Sequence, residues 1–167
     1  MNTEMGEYIV GAYLKVVYCC DFVDYNVRPP GGGLEGLNEL DVLGLDFKSH
    51  TIYLCEVTTH IGGLLYKDNK ETIRRIGMKY QRMKEYASKY LDEFPKENRH
   101  FMFWSPVVPK GARINGLREL EKKGLELVIN EEYLARINEL KKKASITMND
   151  VGNPFFRVLQ ILEHLRT

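Results

Sequence analysis

Apolar residues recur at helical spacing near the amino terminus, where Met5, Ile9, Ala12, Val16 and Cys20 mark one face of a helix expected over residues 3–19, capped by Asn2 or Thr3. The pattern then changes period. In "DFVDYNVRPP" the residues Phe22, Val23, Tyr25 and Val27 form a strand-like run, stopped by Pro29 and Pro30 and the loop "GGGLEG" at 31–36. Residues 38–47 and 51–58 read as two further strands joined by "KSH", a connection short enough for an antiparallel hairpin. A long stripe follows, with Ile73, Ile76, Tyr80, Met83, Ala87 and Tyr90 on one face of a helix over 69–91 that should lie across the sheet. "HFMFWSPVV", closed by Pro109, predicts a buried strand, "ARINGLRELEKK" a short helix and "LELVI" another strand. A polar helix is expected at 131–143. In the last helix Asn153 is the cap, Pro154 takes the first turn, and Phe155, Val158, Leu159, Leu162 and Leu165 share a face.

The predicted order is αβββαβαβαα, an α/β chain with a mixed central sheet sandwiched by helices and helical additions at the carboxyl end. With 167 residues, 44% of them hydrophobic, the chain suffices for one domain with its own core, and no repeat or Pro/Gly/Ser-rich linker divides it. A net charge of +1 gives no global signal for nucleic acid, so any polyanion surface must come from local clusters of Lys and Arg. Cys19, Cys20 and Cys55 lack C-x-x-C spacing, which argues against a disulfide framework and a zinc site and for reduced thiols. Glu4 and Glu7 stand where a signal peptide needs positive charge, and no apolar run approaches the roughly 18 residues of a membrane span. A soluble, cytoplasmic protein without a small-molecule cofactor is the expectation.

Against this background Asp41 and Glu56 are out of place, because a carboxylate on a strand covered on both faces is costly to desolvate unless it is paired or binds a cation. If their strands are hairpin neighbours, the two side chains meet near one end of the sheet, where oxygen ligands suit Mg²⁺ or Mn²⁺. Alternatively they are solvated strand-end acids.

An αβββαβ core with acids on its second and third strands resembles the PD-(D/E)XK, or restriction-endonuclease-like, nuclease superfamily. The likeness is nearest to the small Holliday-junction-resolvase-like branch, whose pattern looks like GE…YL…N-x-R…GE-I-D…VEVK. Here Gly6-Glu7, Tyr13-Leu14, Asn26-Val27-Arg28, Asn38-Glu39-Leu40-Asp41 and Cys55-Glu56-Val57-Thr58 stand in that order. The resemblance covers about residues 6–60, and topology alone extends it to 61–108. It implies a metal-dependent endonuclease acting on DNA, with Asp41 and Glu56 as metal ligands, Glu7 approaching the metal directly or through water, and Glu39 ordering a water or facing solvent.

The superfamily's third-strand lysine is missing, and Thr58 stands in its place. A hydroxyl can orient water but supplies no charge to the transition state. Lys79, at the edge of the long helix's apolar stripe, offers an ammonium that could reach over the sheet edge, or is an exposed surface lysine. On the same helix Lys70, Arg74, Arg75 and Arg82 are candidate phosphate contacts, although Arg75, Arg82 and Lys89 are expected on the side opposite the apolar stripe, where some only meet solvent. His60 follows the third strand closely, with no second His or Cys at zinc spacing, and Phe101, Phe103 and Trp104 read as core. The last helix is either core cover or a homodimer seam. The alternative function is a catalytically degenerate relative that binds nucleic acid or a protein without cutting, and an RNA-directed nuclease is a third.

Overall fold

Alternation along the strands decides which helices cover which side of the sheet. In a computed structural model, which describes residues 2–31 and 39–165, the elements run α1 (Met5–Val16), β1 (Phe22–Val27), β2 (Leu40–Asp46), β3 (Thr51–Val57), α2 (Asn69–Tyr90), β4 (Arg99–Ser105), α3 (Ala112–Glu121), β5 (Leu125–Ile129), α4 (Glu131–Ile146) and α5 (Pro154–His164). This is the expected order. The five strands lie in sequence order in one sheet, with the β1–β2 and β2–β3 pairs antiparallel and the β3–β4 and β4–β5 pairs parallel. Parallel neighbours need crossovers, which α2 and α3 supply.

Leu43, Ile52, Leu54, Phe103 and Leu127 face one way and pack with Ile76, Tyr80 and Met83 of α2 and Leu117 of α3. Val42, Cys55, Met102, Trp104 and Val128 face the other way, against Val10, Tyr13 and Leu14 of α1, Leu140 of α4 and Phe156 of α5. The chain is thus a mixed five-stranded sheet between two helical layers, its last two helices forming the carboxyl-terminal addition. Among the described residues no helix is long and apolar enough to cross a membrane.

Several boundaries differ from the sequence expectation, each for a local reason. Helix α1 starts later, because Glu7 reaches back to accept a hydrogen bond from the Glu4 amide at 2.9 Å, making Glu4 the cap in place of Asn2 or Thr3. It ends at Val16, before Cys19 turns into the left-handed region at φ 57°. Strand β4 stops at Ser105, ahead of Pro106, and α4 continues to Ile146 because Ala144 is still buried against the second core. Asn38 and most of the "GGGLEG" loop lie outside the described residues.

Candidate functional site

The hairpin register, Val42 opposite Cys55, sets Asp41 beside Glu56 at the end of the sheet where β3 leaves for α2. Both point to the α2 side. Glu56 is only 4% exposed, and the Asp41 carboxylate lies within hydrogen-bonding reach of it. One Asp41 oxygen, Oδ2, accepts from the Val57 amide at 2.7 Å, which fixes the side chain along the strand pair.

Helix α2 brings the third member of the site. Its first turn is fixed by Asp68, whose side chain accepts from the Glu71 amide at 2.7 Å, and its stripe of Thr72, Ile76, Tyr80, Met83 and Ala87 is buried. That anchoring leaves Lys79 on the flank of the stripe nearest the carboxylates. Its Nζ donates to Glu56 Oε2 at 2.5 Å and stands 4.0 Å from Asp41 Oδ2. Burial pushes the Glu56 carboxyl up to about 8, against the pull of the Lys79 charge and with the Asp41 charge adding to the rise. Burial opposes the Lys79 charge too, but Glu56 and Asp41 outweigh it and hold the ammonium protonated beyond the ordinary lysine range.

Glu7 is buried on α1, where Oε2 also accepts from Asn26 Nδ2 at 3.1 Å. Its carboxyl is raised by burial, with a smaller contribution from the Asp41 charge, so it lies within the electrostatic range of the pair. The approach is allowed by Gly6, where a Cβ would come 2.3 Å from Thr59 Cγ2 and 3.1 Å from Val57 Cγ1. Thr58 is buried, but its hydroxyl donates to Ser105 Oγ at 2.9 Å across to β4 instead of to Asp41, Glu56 or Lys79. Ser105 carries no motif that would single it out in the sequence.

The described residues hold no group of three or more His, Cys, Asp or Glu that could hold a metal ion. Two carboxylates still match the chemistry of Mg²⁺, which keeps several of its waters and is commonly held by one or two acidic side chains. The Lys79 ammonium, lying between those same acids, marks the position as one that favours a cation. Asp41 and Glu56 supply oxygen donors of the kind that Mg²⁺ and Mn²⁺ take.

The remaining cations of α2 fall into two groups. Arg74 and Arg75 both bond Glu71 at 2.7 Å, and Arg75 lies 5.2 Å over the Tyr66 ring, while Lys70 is exposed on the first turn. Arg82 and Lys89 were expected opposite the apolar stripe with Arg75. They instead line a groove between α2 and the start of β2, because positions 75, 79, 82, 86 and 89 form a ridge beside the stripe. Glu39, Tyr86 and Tyr90 line the same groove, which the linear pattern does not reveal.

No family model and no curated protein matches the chain. Among solved structures, the chain is similar to a repair endonuclease from Pyrococcus abyssi, at 18% identity and a TM-score of 0.38, over 76% of this chain and 47% of the other. The chain thus spans about half the length of that protein.

Proposed function

We propose that the protein is a divalent-metal-dependent endonuclease that hydrolyses DNA phosphodiester bonds. One observation carries the reading: an ammonium from α2, Lys79, lies 2.5 Å from Glu56 and 4.0 Å from Asp41, so a positive charge stands at the carboxylate pair although Thr58 has replaced the usual lysine. In this reading Asp41 and Glu56 hold Mg²⁺ or Mn²⁺, and Glu7 shapes the field from α1. When bound, the ion polarises a phosphoryl oxygen, lowers the pKa of a water and offsets charge on the leaving oxygen. Lys79, released from Glu56, orients the attacking water and stabilises the charge that develops on the phosphoryl oxygens. Lys70, Arg74, Arg75 and Arg82 contact the phosphates on either side, giving affinity that falls with salt and is blind to sequence.

The test is cleavage of supercoiled plasmid and of a branched DNA junction with Mg²⁺, Mn²⁺ or EDTA, comparing wild type with Asp41→Ala and Glu56→Ala. Metal-dependent cutting by wild type, lost in both variants, is the expected result. Equal cutting by Asp41→Ala would overturn it, and cutting of RNA alone would move the substrate. A second reading, a degenerate relative that binds without cleaving, draws on the same ion pair, because Lys79 already neutralises the acids from within. It predicts DNA binding with no cleavage in any metal.

A further inference from the structure

Beside the carboxylates lies a groove of about 170 Å³, roofed by α2 and floored by Leu40 at the start of β2. Its volume is below the roughly 300 Å³ of an ordinary small-molecule pocket, which suits one flat ring system and little more. Tyr86 and Tyr90 form one wall, their rings tilted at 53° with centroids 4.9 Å apart. Lys89 Nζ lies 5.1 Å over the Tyr90 ring, and Arg82 stands at the end nearer Lys79. Glu85 also lines it, its carboxylate already accepting from Gln81 at 2.9 Å.

Glu39 is the feature that ordinary packing does not account for. Its side chain is only 9% exposed, it lines the groove, and among the described residues its buried Oε1 has no hydrogen-bond partner. The nearest cation, Arg28 Nε, is 3.7 Å from that oxygen, at ion-pair distance but outside hydrogen-bond range. A buried acceptor whose nearest cation stands beyond hydrogen-bond range still has capacity for a donor, which fits a partner that brings N–H groups. Aromatic walls, flanking cations and one buried acceptor together describe a site for a nucleobase.

We propose that this groove takes one unpaired base of the substrate strand, next to the phosphate to be cleaved, and that Glu39 reads its pairing edge. The proposal rests on the nuclease reading for the position of that phosphate. Glu39 precedes Asp41 by two residues, about 6.6 Å along an extended chain, so the base lies close to the reacting centre. A carboxylate prefers adjacent donors. Guanine offers both its ring N1–H and its amino group, cytosine and adenine offer an amino group alone, and thymine offers one N–H between two carbonyls that repel the carboxylate. The substrate is therefore a strand with a free base edge, such as a single strand or an unpaired junction arm, with guanine preferred and thymine disfavoured.

Fluorescence anisotropy in EDTA separates binding from cleavage. The probes are labelled thymine-only 12-mers, the same 12-mers carrying one guanine, and the matching duplexes. Wild type should bind the guanine strand roughly five- to 100-fold more tightly than thymine-only DNA, as expected for one good bidentate contact. Glu39→Ala should erase that difference, Glu39→Gln should keep part of it, and Tyr86→Ala should weaken all single strands together. Circular dichroism confirms that each variant is folded. No base preference, a preference that survives Glu39→Ala, or duplex bound as tightly as single strand would overturn the proposal. Free guanosine monophosphate competing as well as the strand would overturn it as well, by assigning the groove to a nucleotide. The plasmid assay is independent. Loss of cutting with the base preference intact would remove the nuclease reading alone, and cutting without a base preference would remove the groove alone.

Discussion

Lys79 and Thr58 sit in different surroundings, and these assign them different work. Thr58 is packed against β4 with its hydroxyl on Ser105, while Lys79 arrives from another element and places its charge on the acids. Thr58→Val should therefore lower stability by about 1–3 kcal/mol, through the lost hydrogen bond, and leave the cleavage rate of the folded protein near wild type. Denaturant melts and plasmid cleavage measured side by side check this. Lys79→Ala should do the reverse, lowering cleavage roughly 100- to 1000-fold, the effect of removing one group that stabilises transition-state charge. The variant should fold, because burial already inclines Glu56 to accept a proton once its partner is gone. The sequence shows that Asp41 and Glu56 lie on hairpin neighbours, but not their exact register, because the connection is the four residues 47–50 and not the three of "KSH", which moves Asp41 from opposite Val57 to opposite Glu56. The Thr58 to Ser105 bond is not legible there, because the two residues lie 47 apart and meet only through a parallel crossover.

Helix α1 shows how an element's position depends on what a residue lacks. The Gly11 Cα faces Tyr25 of β1 so closely that a Cβ would come 2.0 Å from the ring's hydroxyl oxygen and 2.6 Å from Cζ. That ring is held from the far side by Asn153, the α5 cap, which donates to the hydroxyl at 3.2 Å and to the Tyr8 carbonyl at 2.9 Å. Helix propensity alone makes Gly→Ala favourable by about 1 kcal/mol. Here the sign should invert, with Gly11→Ala destabilising by about 1–3 kcal/mol as the ring and the α5 cap are pushed apart. Thermal unfolding of Gly11→Ala decides between them, and a rise in Tm would show that the ring moves away freely. Periodicity in the sequence predicts that α1, α2 and α5 exist, since each carries a clear apolar stripe. It places the ends of α2 and the cap of α5 but misplaces the start of α1 and the outer faces, because a cap such as Glu4 and the ridge from Arg75 to Lys89 depend on what the helix meets in space.

For the whole molecule the open question is assembly, and α5 poses it most sharply. Phe156 and Leu159 on one side of this helix are buried in the second core. Val158, Ile161 and Leu162 on the other side are each 51% exposed, and Leu165 is 70% exposed. Their spacing of i, i+3, i+4 and i+7 makes a continuous apolar stripe of the kind that two helices bury against each other. Leu134 of the neighbouring α4 is exposed as well, at 59%. We propose that two copies pair through this stripe. A twofold pair presents the same patch from both subunits and doubles the candidate site, which would let one assembly cut two strands of a branched substrate. Sedimentation equilibrium should show a dimer at micromolar concentration, and Ile161→Glu/Leu162→Glu should be monomeric with its melting temperature close to wild type, because neither side chain belongs to the core. If pairing also sets how a junction is cut, the monomeric variant should nick plasmid at near the wild-type rate but lose paired incision of a junction. A wild-type chain that stays monomeric at about 100 µM would remove the dimer and leave each carboxylate pair to act alone.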